Sequence, residues 1–232
     1  MSELEIFNDE QGSLEWFAAR LGIPTASQFH TVMAKGKGGG ASKTRETYML
    51  KLIGERMTGE LMDNFNNAHM ERGKRLEAEA RDLYAVTKGV WTEPVGFLRR
   101  GRVGASPDSL VDETGLLEVK TKLPHLQLEV LLANKLPAEH RAQAHGQLWI
   151  AEREWIDFVS YWPGLPQLIV REYRDETYIA EIKSAVDEFN EEMDARMAAF
   201  EKQFGKQWFN PKPRLPRTLD PATEFVNLEE GQ

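Results

Sequence analysis

The chain has 232 residues, 41% hydrophobic and 28% charged, with a net charge of −8 and no cysteine. That composition is ordinary for a soluble globular protein and excludes disulfides, thiolate zinc sites, iron–sulfur clusters and cysteine nucleophiles. The length suits one well-packed domain, and no apolar run approaches the ~18 residues of a membrane span.

The acidic opening Met1-Ser2-Glu3-Leu4-Glu5 lacks a basic stretch ahead of an apolar core, so a cytoplasmic protein without signal peptide or membrane association is expected. Ser13 can cap a short helix from Leu14 to Leu21, stopped by Gly22. Thr25 or Ser27 can cap a second one through Met33. The run from Lys35 to Lys43 is glycine-rich and basic and reads as a loop. Leu50, Ile53, Met57 and Leu61 follow helical spacing, so Thr44 to Met57 is predicted as helix. Asn66 or Asn67 opens another, running to Lys88 and closed by Gly89.

Short segments follow, broken by Gly, Pro and Asp as strands and tight turns are: Val90 to Leu98, Arg102 to Ala105, and Leu116 to Thr121. Gln127 to Ala133 and Glu139 to Glu152 return to helix. Trp155 to Trp162 and Leu168 to Tyr173 read as two more strands, and Asp175 starts a long acidic helix to Phe204. Residues 1–210 are expected as one domain. Residues 211–232 form a proline-rich arm, with prolines at 211, 213, 216 and 221. The order predicts an α/β (α+β) fold with a mixed β-sheet flanked by α-helices.

Charge is segregated along the chain. His30 to Arg56 holds six lysines and arginines against Glu46 and Glu55, while Arg171 to Phe204 holds five against ten acidic residues. A polarised molecule can bind phosphates on one face despite an acidic total.

The segment Ser106-Pro107-Asp108 … Glu118-Val119-Lys120 carries the chemistry. Glu118 and Lys120 are two apart on a strand and share a face, while Leu117 and Val119 point into a core. A turn at Asp112–Gly115 would pair the flanking segments and bring Asp108 near Glu118. Two carboxylates and an amine would then converge, as metal-assisted phosphodiester hydrolysis requires. The bare P-D…E-x-K string also occurs on solvated hairpins, so its context matters.

The context is a series of further motifs in order. These are Glu15-Trp16 … Arg20-Leu21-Gly22-Ile23-Pro24-Thr25-Ala26-Ser27, then Gly73-Lys74-Arg75-Leu76-Glu77, then the 106–120 core. Ala142-Gln143 … Leu148-Trp149 and Phe158-Val159-Ser160-Tyr161 close the series. Over most of its length the chain resembles the lambda exonuclease and YqaJ-type viral recombinase family of PD-(D/E)xK nucleases. The resemblance implies a restriction-endonuclease-like fold and a nuclease domain over residues 1–210. It implies Mg²⁺-dependent 5′→3′ degradation of one strand of linear double-stranded DNA to 5′-mononucleotides, leaving 3′ single strands for phage-type recombination. Two Mg²⁺ ions are implied, with Mn²⁺ as a substitute. So are a toroidal homotrimer, a single-strand annealing protein as partner, and a phage or prophage setting in a bacterial host.

Matched residue by residue, the resemblance makes Asp108, Glu118 and the Val119 carbonyl metal ligands and Lys120 the catalytic amine. Glu77 lies near the ions and Gln143 beside the water or scissile phosphate. Arg20, Ser27 and Ser106, with Lys120, would hold the 5′-phosphate. Met70 would wedge at the terminal base pairs. The region Lys35 to Lys43 is locally distinct from the family; by their charge alone Lys35, Lys37, Lys43 and Arg45 would contact DNA through its backbone phosphates, against the alternative of a solvated loop. Taken without the resemblance, Glu77 and Gln143 are ordinary helix-surface residues, Arg20 a helix-terminal cation and Met70 a core residue. The rival readings are an endonuclease of the same fold, a non-catalytic DNA-binding module, and an acidic metal-binding scaffold.

Overall fold

The computed structural model describes residues 2–9, 13–36, 38–60 and 68–208. A five-stranded sheet sits at the centre, in the order β2 (Thr92–Glu93), β5 (Ser109–Val111), β6 (Gly115–Thr121), β7 (Trp155–Tyr161) and β8 (Leu168–Tyr173). Its ladders are antiparallel except β6–β7, which is parallel from Gly115↔Trp155 to Thr121↔Tyr161. A parallel pair needs a crossover, and α5 (Pro124–Ala133) with α6 (Ala138–Ala151) supplies it. A smaller sheet joins β1 (Leu4–Phe7), β3 (Phe97–Arg100) and β4 (Val103–Ala105), all antiparallel. The mixed sheet flanked by helices is the fold class that the sequence predicts.

The helices complete the layers. They are α1 (Leu14–Arg20), α2 (Phe29–Val32), α3 (Lys43–Thr58), α4 (Ala68–Lys88) and α7 (Glu176–Phe204), with 3₁₀ turns at Ala26–Gln28 and Lys206–Trp208. Ser13, Ser42 and Asp175 accept hydrogen bonds from Trp16, Arg45 and Tyr178 N–H groups and so start α1, α3 and α7. Ser42, not Thr44, therefore sets the start of α3. Gly59 and Gly89 end α3 and α4 with positive φ. Asn66 and Asn67 lie outside the described residues, as do Lys37 and the proline-rich arm.

β6 divides the core. Leu116 packs with Leu148 and Ile150 of α6, Phe29 of α2, Met49 of α3 and Phe189 of α7. Leu117 and Val119 face the opposite way, against Leu76, Ala80 and Tyr84 of α4. Between β7 and that layer, buried Asp157 is satisfied by the Tyr84 hydroxyl at 2.7 Å and by Nε and Nη2 of Arg171, each at 2.8 Å. A buried carboxylate so paired stabilises the α4–sheet contact instead of opposing it.

Two details depart from the strand expectations. The stretch from Val90 to Leu98 divides between the two sheets, with Pro94 and Gly96 in the gap. A Cβ on Gly96 would stand 2.2 Å from the Asp9 carbonyl oxygen, so only glycine lets the chain leave one sheet for the other here. β1 has no counterpart among the predicted elements. It is a four-residue edge strand with Ile6 52% exposed, too short and too open to show alternation. No helix among the described residues is long and apolar enough to cross a membrane.

Candidate active site

The hairpin of β5 and β6 builds the centre of the site. Asp112, at φ 44°, makes the turn, and the register Ser109↔Leu117 sets Asp108 beside the middle of β6. The Asp108 amide donates to the Leu117 carbonyl at 3.0 Å, and the Asp108 Oδ2 accepts from the Val119 amide at 2.6 Å. On the face opposite Leu117 and Val119, Lys120 Nζ reaches Glu118 Oε1 at 2.5 Å. Asp108, Glu118 and Lys120 thus converge on the carboxyl-terminal half of β6.

Helix α6 holds Glu118 from the other side. Gln143 Nε2 donates to Glu118 Oε1 and Gln147 Nε2 to Glu118 Oε2, each at 2.6 Å. At 3% exposure this carboxylate has exchanged water for hydrogen bonds from three protein groups, Lys120, Gln143 and Gln147. Gln147 is a neighbour of the cluster that sequence reasoning missed. Its one signal is its position four residues after Gln143, on the same helical face.

The carboxylates are crowded. Burial first, then the charges of Glu118 and Glu77, hold the Asp108 carboxyl well above the usual range. Burial alone would weaken the Lys120 ammonium, but the Glu118 and Asp108 charges outweigh it and hold the amine above its ordinary value. Glu77, on α4, lies 3.8 Å from Arg81 and acts on the cluster through its charge. Burial, then Lys120 and Lys122, push the His140 imidazole down to about 4.

Among the described residues, no three His, Asp or Glu side chains already stand at metal-binding geometry. The reason is local, because Glu118 turns both oxygens to Gln143, Gln147 and Lys120, and Asp108 turns Oδ2 to the Val119 amide. The donor set itself suits a hard cation. It consists of carboxylate and carbonyl oxygens, and the repulsion that raises Asp108 is relieved by positive charge.

A second group adjoins this one. Arg20 ends α1, its guanidinium 4.1 Å from the Trp16 ring centroid, and its Nη1 donates to Ser106 Oγ at 3.1 Å. Trp16 is held in turn by the bond from its Nε1 to the Gly96 carbonyl at 3.0 Å. The Arg20-Leu21-Gly22 turn locks onto α3, where Gly22 N–H donates to Glu55 and Gly22 O accepts from Arg56. A Cβ on Gly22 would meet Arg56 Cγ at 2.3 Å, and its φ of +64° also demands glycine. Ser27 is exposed, with its hydroxyl 3.2 Å from that of Thr25. Arg20 and Ser27 line one cleft with Gln28 and Lys51, two polar residues that the sequence does not single out.

Arg45 is engaged within the fold. It is 6% exposed, bonded through both guanidinium arms to Glu192 at 2.7 and 2.9 Å and through Nε to the Val32 carbonyl. Its donors tie α3 to α7 and α2. Lys35 and Lys43 are exposed. Met70 falls on α4, but its side chain is not among those the structure describes.

Residues 15–154 match the YqaJ-like viral recombinase domain. Among solved structures, the alkaline exonuclease LHK-Exo from Laribacter hongkongensis is 36% identical, over 84% of this chain and 99% of that one, with a TM-score of 0.76. The same protein in complex with dAMP superposes with a TM-score of 0.77. A phage related exonuclease from Haemophilus somnus 129PT shares the fold at 17% identity and a TM-score of 0.59, over 77% of this chain and 96% of that one. No curated protein matches the chain by sequence.

Proposed function

Because the chain belongs to the YqaJ-like viral recombinase domain family, we propose that it is a Mg²⁺-dependent nuclease that degrades one strand of linear duplex DNA from a 5′-phosphate end. The observation that carries this reading is the bond from Arg20 to Ser106. It ties a cation suited to a terminal phosphate to the loop that ends in Asp108, and hence to the carboxylate–lysine cluster. The alkaline exonuclease LHK-Exo, 36% identical, has been solved in complex with dAMP. That is consistent with a mononucleotide as the released product here.

Asp108, Glu118 and the Val119 carbonyl would hold the metal, with Glu77 at its margin. Bound there, Mg²⁺ supplies Lewis-acid activation of water and neutralises phosphate charge. The chain's own groups do the rest. Gln143 and Gln147 fix the orientation of Glu118. Lys120, kept protonated by its carboxylate neighbours, donates to the attacking water and to the phosphate and offsets the charge of the phosphorane-like transition state. The water oxygen gives up a proton as it bonds to phosphorus, the P–O3′ bond breaks, and the departing O3′ takes up a proton, so the protons balance. The remaining strand then begins with a new 5′-phosphate, the group that Arg20 and Ser27 are suited to receive, so each product end is the next substrate. The family resemblance extends the proposal to a homotrimer around the duplex and to a single-strand annealing partner in recombination.

The test is digestion of linear duplex with 5′-phosphate or 5′-hydroxyl ends beside closed circles, with and without Mg²⁺. Rapid Mg²⁺-dependent loss of the phosphorylated strand, spared circles and a rate about 10³-fold lower for Lys120→Ala are expected. Cutting of circles would establish an endonuclease instead. Binding without any cleavage would leave a DNA-binding module.

A further inference from the structure

Helix α6 turns a third polar side chain toward the β6 edge, one turn before Gln143. The His140 ring stacks on Phe158, with centroids 5.1 Å apart and planes at 28°. Phe158 is the register partner of Glu118 in the parallel ladder, so the imidazole covers the position beside Glu118. The charges of Lys120, Lys122, Glu139 and Glu118 all act on it. Its Nε2 is buried and has no hydrogen-bond partner among the described residues; Glu139 Oε1 stands 4.0 Å away. Buried polar atoms in folded proteins normally find partners, and one left over at the rim of a reaction centre points to a ligand atom.

Resting on the nuclease reading above, we propose that His140 is a further substrate-binding residue, whose Nε2–H donates to a non-bridging oxygen of the phosphodiester being cut. A phosphate presents only acceptors, and at this ring Lys120 and Lys122 act more strongly than Glu139 and Glu118. The ring remains uncharged at neutral pH, because burial and the two lysines oppose its protonation. It therefore adds a directed donor without adding charge. Phe158 fixes the ring plane, so little side-chain freedom is lost when the bond forms.

Two variants separate this role from packing. His140→Phe keeps a flat ring on Phe158 and removes the donor, while His140→Gln places an amide N–H at similar reach. In single-turnover digestion at saturating DNA, His140→Phe should be slower on the order of 100-fold, and His140→Gln should recover to within roughly tenfold of wild type. Wild-type rates in His140→Phe, or equal losses in both folded variants, would overturn the proposal. If thermal unfolding shows either variant misfolded, the wild-type protein provides the reading. Its imidazole nitrogen-15 resonances should shift at His140 Nε2 when duplex with a phosphorothioate at the first linkage is added, and no shift would overturn the proposal. Wild-type protein that fails to cut DNA would instead remove the nuclease reading itself.

Discussion

A carboxylate buried beside Glu118 and within the field of Glu77 is held against its own electrostatics, and Asp108 is in that position. In an unfolded chain an aspartate titrates near 3.9. Because folding raises that value, the folded state binds the proton more tightly. The resulting contribution to stability is complete below about 3.9 and is lost as pH rises through the folded value. At neutral pH, then, the ionised Asp108 is a cost to the fold. Asp108→Asn removes the charge and retains an oxygen that can accept from the Val119 amide. In chelator at neutral pH it should stabilise the protein by about 1 kcal/mol, a few degrees in Tm, while abolishing hydrolysis. That gain should shrink as the buffer is acidified toward about pH 4. Thermal melts of both proteins across that range check it; a variant that melts lower at neutral pH would mean the charge is already compensated. Added Mg²⁺ should raise the wild-type Tm and leave that of Asp108→Asn nearly unmoved.

At the scale of elements, the decisive contact lies where α6 meets the segment that carries Ser27. Gly146 faces Phe29, and a Cβ there would stand 2.4 Å from Phe29 Cδ2 and 3.2 Å from the Ala26 Cβ. Alanine ordinarily gains about 1 kcal/mol over glycine inside a helix. Here the fully buried Phe29 ring has nowhere to retreat, so Gly146→Ala should destabilise by roughly 1–3 kcal/mol net of that gain. The displaced segment includes Ser27, so KM for phosphorylated ends should rise more than kcat falls. Urea unfolding and steady-state digestion measure the two effects; an unchanged KM would separate Ser27 from the end-binding cleft. Gly146 also illustrates what a sequence conveys. Helical periodicity, the Asp175 cap and the turn-forming Pro163-Gly164-Leu165-Pro166 between the two strands place α6, α7, β7 and β8 within a residue or two of their predicted bounds, because those signals are local. The hairpin turn at Asp112 is equally local, and it brings Asp108 to Glu118. Gln147 and His140 are different, because their roles depend on which face of α6 meets β6. That choice is made by long-range packing. The pairing of Arg45 is hidden from the sequence for the same reason, since Glu192 lies 147 residues away in the chain.

Across the whole molecule, the distribution of arginine partners changes how the −8 charge bears on DNA binding. Arg45, Arg100, Arg102, Arg141, Arg171, Arg174 and Arg196 each pair with a carboxylate within the fold. In the basic stretch from His30 to Arg56, Arg45 is taken up by Glu192, while Lys35 and Lys43 are exposed among the described residues. Each phosphate contact contributes about 0.9 to the slope of log affinity against log salt. Replacing Lys35 or Lys43 by alanine should each flatten that slope by up to about 0.9 per copy of the chain engaged, with little change in Tm. Arg45→Met should do the reverse. Its slope should match wild type, while the loss of the Glu192 and Val32 bonds costs roughly 1–3 kcal/mol, held below a fully buried pair because Glu192 is 36% exposed. Affinity titrations on linear duplex at several salt concentrations, paired with urea unfolding, separate the two classes of cation. A flattened slope in Arg45→Met would mean that the α3–α7 pair opens to reach DNA, and steep slopes retained in both lysine variants would move the DNA track elsewhere on the surface.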